Sequence, residues 1–100
     1  MPDLPDFGLA PPPFKPAEAL VLLRRQLRDL RPLVERGTGY EIKGLRVIEL
    51  AAGAQAIDAR LAHKPARQPQ WTALQLRSAA DVRRLVDDVR QRLRRWEQDD

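Results

Sequence analysis

The sequence contains no cysteine, which excludes disulfides, thiolate zinc sites and cysteine nucleophiles. It has one histidine (His63), one serine (Ser78), two threonines (Thr38 and Thr72) and one tyrosine (Tyr40). A metal site needs several convergent ligands, and a hydroxyl nucleophile needs a neighbouring base. This set supplies neither, so the chain reads as non-catalytic, with no cofactor and no metal. Gly8, Gly37, Gly39, Gly44 and Gly53 match neither phosphate-loop spacing. The longest strongly apolar run, residues 19–23, is far too short to cross a bilayer. The opening Met1-Pro2-Asp3-Leu4-Pro5-Asp6 lacks the basic and apolar regions of a secretory signal. The expectation is a soluble cytoplasmic protein with no membrane contact and no small-molecule substrate.

One hundred residues suit one domain with one modest core. The chain is basic, at +4 with a pI near 10.3, which raises nucleic acid as a partner. The charge is dispersed, however, and no stretch of the chain exceeds about +2 when it is divided at its turns. Six of nine prolines fall in residues 1–16, so residues 1–15 read as an extended or disordered tail and 16–97 as the domain.

The stretch from Trp71 to Trp96 is the most fully specified. Thr72, Leu74 and Leu76 alternate with Ala73, Gln75 and Arg77 as on a strand. Ser78 followed by Asp81 forms a capping box. Val82, Val86, Val89, Leu93 and Trp96, with Leu85 beside them, then make the apolar stripe of an amphipathic helix. Adjacent Asp87 and Asp88 point about 100° apart and pair instead with Arg90 and Arg92.

A second stripe, Leu20, Leu23, Leu27, Leu30 and Val34, predicts a helix beginning at Pro16. Pro32 predicts a kink or an end near Arg31. Arg24, Arg28 and Arg31 would form a ridge on one flank of this helix, and Leu22 and Leu33 a third face. Between the helices, Tyr40, Ile42, Val47, Ile48 and Leu50 are β-formers around a Lys43-Gly44 loop. As a two-residue loop it would set Glu41 against Arg46 and Tyr40 against Val47; a longer, bulged loop would give another register. Residues 56–62 admit two readings: Ile57, Ala59 and Leu61 alternate as on a strand, while the alanines also suit a helix with Ile57 and Leu61 one turn apart; the neighbouring turns favour a strand of the meander. The expected fold is therefore α+β: an N-terminal helix, an antiparallel meander of three to four strands and a C-terminal helix, in two layers.

Two functional readings follow. The first is a small accessory or protein-interaction domain that self-associates as a homodimer or binds another protein, with Leu22 and Leu33 as the interface. The second is a nucleic-acid binder, possibly for single strands, using Arg24, Arg28, Arg31 and Trp71, with Arg46, Arg60 or Arg67 in support. Residues 72–93 also resemble, in their strand–cap–helix order, small dimeric single-strand-DNA-binding folds of the Whirly type; this is an analogy of fold alone.

Overall fold

The computed structural model describes residues 13–98. Most of the proline-rich tail expected over 1–15 therefore lies outside the described residues. Helix α1 (Pro16–Arg28) leads into strands β1 (Val34–Arg36), β2 (Gly39–Ile42), β3 (Leu45–Ala52), β4 (Ile57–Ala62) and β5 (Trp71–Leu76). Helix α2 (Ala79–Gln98) closes the chain. The strands form one antiparallel sheet in the order β1-β2-β3-β4-β5, an α+β meander.

The sheet has five strands rather than three to four, because the expected first helix stops early. It ends at Arg28, before Pro32, and the chain turns back as β1. Val34 consequently leaves the helical stripe and is 51% exposed on the sheet, whereas Leu33 is 7% exposed and belongs to the core. Leu23 and Leu27 are fully buried, with Leu20 and Leu30 packed at the margin. In α2, Leu85, Val86, Val89 and Leu93 are buried, and Val82 and Trp96 flank them, as their spacing predicts.

Lys43 and Gly44 both have positive φ and form the two-residue turn joining β2 to β3. Glu41 lies opposite Arg46 as expected, but Tyr40 lies opposite Ile48, not Val47. The pairing skips Val47, so the strand carries a bulge there. The extra residue breaks the alternation: Val47 and Ile48 are both buried, while Arg46 and Glu49 both reach the outer face. Residues 57–62 are a strand, with Ile57, Ala59 and Leu61 buried.

Ser78 begins α2 as its sequence indicates. Its Oγ accepts from the Asp81 N–H (3.1 Å), and Asp81 Oδ2 accepts from the Arg77 N–H (2.9 Å). Ser78→Ala should therefore cost about 1 kcal/mol with the fold intact, read as a lower denaturation midpoint. An unchanged midpoint would mean that the cap contributes nothing.

Candidate functional site

The arginine ridge expected on α1 does not stand free. Arg24 and Arg28 converge on one carboxylate, Glu35 of β1, at 3.0 and 3.3 Å. The hydroxyl of the fully buried Tyr40 donates to the Arg24 carbonyl (3.2 Å) and lies 3.4 Å from Glu35. Burial, then the adjacent Glu35 carboxylate, raises the phenol pKa, so Tyr40 stays a neutral donor at physiological pH. This cluster latches α1 onto the first hairpin. Arg31 lies beyond the helix in an exposed turn, out of line with the other two.

The outer face of the sheet carries a second charge network. Arg46 Nε donates to Glu49 (2.8 Å), and its Nη1 donates to the Arg36 carbonyl (2.8 Å) and lies 3.6 Å from Glu41. Arg36 in turn contacts Glu41 at 3.4 Å. The Arg46 side chain passes directly over Gly39, where any Cβ would sit 3.2 Å from its guanidinium carbon. Further along, Arg60 stacks over the indole of Trp71, 4.7 Å from the ring centroid. Gln75 donates to Asp58 (3.2 Å) and accepts from Arg77. Arg46, Arg60 and Trp71 are thus engaged with neighbours on their own sheet. Arg67 is exposed in the loop between β4 and β5.

That loop and the end of α2 enclose a polar cleft of about 600 Å³, lined by His63, Lys64, Gln70, Arg95 and Trp96 among others. His63 Nε2 lies 3.2 Å from the Thr72 hydroxyl, and the Trp96 indole N–H donates to the His63 carbonyl (3.1 Å). Across Trp96 lies a more apolar cleft of about 330 Å³, with Pro32, Ile42, Leu45 and Leu93 in its walls. Arg92 spans Asp88 and the Ala62 carbonyl, both at 2.9 Å, and Asp87 meets Arg90 at 3.6 Å, the pairings that spacing predicts. Among the described residues, the Tyr40 phenol apart, no polar or charged residue is buried, and no three His, Asp or Glu side chains could together hold a metal ion.

The two candidate interface leucines are separated by the fold. Leu22 is 57% exposed beside Val21 on α1, whereas Leu33 is enclosed in the core. They form no common face.

A feature the periodicity does not flag is the contrast between the two sheet edges. At one edge, β1 has three residues, two of them charged. At the other, β5 has six residues without charge, proline or glycine. Proteins commonly blunt an edge with brevity, charge or proline; β1 is short and charged, and β5 has none of the three. The signal was legible in Trp71-Thr72-Ala73-Leu74-Gln75-Leu76, once that strand is known to end the sheet.

No family model matches the chain, and no curated protein or solved structure is similar to it at a significant level. No helix among the described residues is long and apolar enough to cross a membrane.

Proposed function

We propose that the chain is a small, non-catalytic cytoplasmic interaction domain that self-associates. The observation that carries this reading is the unprotected edge of β5, a template for strand pairing at one end of an open meander whose other edge, β1, is short and charged. Exposed Val21, Leu22 and Val34 add apolar surface elsewhere. The nucleic-acid reading loses its principal support, since Arg24 and Arg28 share Glu35 and Arg46 lies between Glu41 and Glu49.

The test is solution mass at tens of micromolar, beside titration with single-stranded DNA at low and moderate salt. The expected result is a self-associated species with no micromolar DNA binding. A contact neutralising three or four phosphates would instead give a log–log salt slope of about −2 to −4, and that result would favour the nucleic-acid reading. A monomer throughout the concentration range would overturn self-association.

A further inference from the structure

Resting on that reading of self-association, we infer that β5 pairs antiparallel with β5 of a second copy, across a two-fold axis at Ala73. The backbone dictates which groups are available. His63 N–H donates to the Gln70 carbonyl (2.9 Å), in step with the register that sets Leu61 opposite Thr72 and Ile57 opposite Leu76. In an antiparallel ladder, hydrogen-bonded and non-hydrogen-bonded pairs alternate. Thr72, Leu74 and Leu76 therefore turn their N–H and C=O groups toward β4. Trp71, Ala73 and Gln75 turn theirs to the free edge.

These three residues match themselves. With Ala73 opposite Ala73 of the second copy, Trp71 falls opposite Gln75 and Gln75 opposite Trp71. Every outward N–H and C=O of the three then meets a partner. The next pair in the same register would be Arg77 with Pro69, and neither can extend the ladder. Proline has no N–H, and the Arg77 N–H is already donated to Asp81. The repeat is thus bounded at both ends.

Side chains agree with this register. No charged residue lies in β5, so the pairing sets no like charges opposite each other. The small, exposed Ala73 sits on the axis. On the inner face, partly buried Leu74 would lie opposite Thr72 of the second copy. Helix α2 leaves room: it starts at the β5 edge but runs away from it. Its far end reaches the Ala62 and His63 carbonyls, and Leu93 and Trp96 share a cleft with Ile42 and Leu45 of the β2–β3 hairpin.

The absence of cysteine makes the test direct. Ala73→Cys introduces one thiol per chain, and across a hydrogen-bonded antiparallel pair the Cα atoms stand roughly 5.5 Å apart, within disulfide range. Mild oxidation with diamide should give a covalent species of about twice the 11.4 kDa chain mass. Gln75→Cys should not cross-link, since the two positions 75 lie four residues apart along the paired strands, roughly 14 Å at 3.4 Å per residue. Ala73→Pro removes only an outward N–H, so it should fold with wild-type circular dichroism and be monomeric. A wild-type monomer overturns self-association and this pairing together. Three results from a wild-type dimer would overturn the β5 pairing and leave self-association standing: the two thiol variants cross-link alike, Ala73→Cys does not cross-link, or a folded Ala73→Pro stays dimeric.

Discussion

Replacing Leu33 by glutamate should destabilise the domain by roughly 4 kcal/mol or more, while the same change at Leu22 should stay within about 0.5 kcal/mol. Leu33 is 7% exposed and Leu22 57%. At Leu33 the substitution removes a packed side chain and sets a carboxylate in its place, with no buried cation among the described residues to receive it. A loss of that size is a large share of the roughly 5–15 kcal/mol that holds a small domain folded, so Leu33→Glu should unfold at much lower urea than the wild type. Leu22 already stands in water, and a helical glutamate there replaces one exposed side chain with another. Urea denaturation of the two variants decides the matter. Two equally mild effects would mean that α1 continues past Pro32 and carries Leu33 onto its surface.

The second large effect is expected at the glycines around Thr38. Gly37 and Gly39 are two residues apart, yet they are glycine for different reasons. Gly37 has a φ of +57° in the turn between β1 and β2, and a Cβ there would meet nothing within 4 Å. Gly37→Ala should therefore cost about 1 kcal/mol, the left-handed backbone penalty alone. At Gly39 a Cβ would overlap the Ile48 carbonyl oxygen and stand 3.2 Å from the Arg46 guanidinium. The first contact is with backbone inside the paired β2–β3 ladder, which cannot move without breaking the register at the bulge. Gly39→Ala should cost about 3 kcal/mol or more, and should also release Arg46 from the Arg36 carbonyl. Thermal unfolding of the two variants provides the comparison. Equal losses would show that conformational freedom, not close approach, fixes glycine at both positions.

The sequence by itself determined the elements whose signals are local. The stripe from Val82 to Trp96, the Ser78–Asp81 cap and the Lys43-Gly44 turn each act within a few residues. Each is where its spacing predicts, whereas residues 56–62 suit strand and helix alike by period and form a strand in the sheet. The charged pairs of α2 are equally local, one turn apart on one helix.

Tertiary structure decided the rest. Val34 continues the α1 stripe by period, but Pro32 ends the helical option and Glu35 is held at β1 by Arg24 and Arg28 across the fold. That single change of path turned Leu33 inward, exposed Val34 and added a fifth strand. The bulge at Val47 likewise depends on what β3 must cover on one face and display on the other, a demand that no window of β3 contains. The candidate site has the same origin. Strand β5 is legible in the sequence, but its being the last strand, with three backbone pairs facing outward, follows only from the order of the sheet and the register against β4. Hydrophobic period reports which side of an element is buried. Which edge of a sheet is left unpaired is a property of the assembled strands, and no residue's own chemistry encodes it.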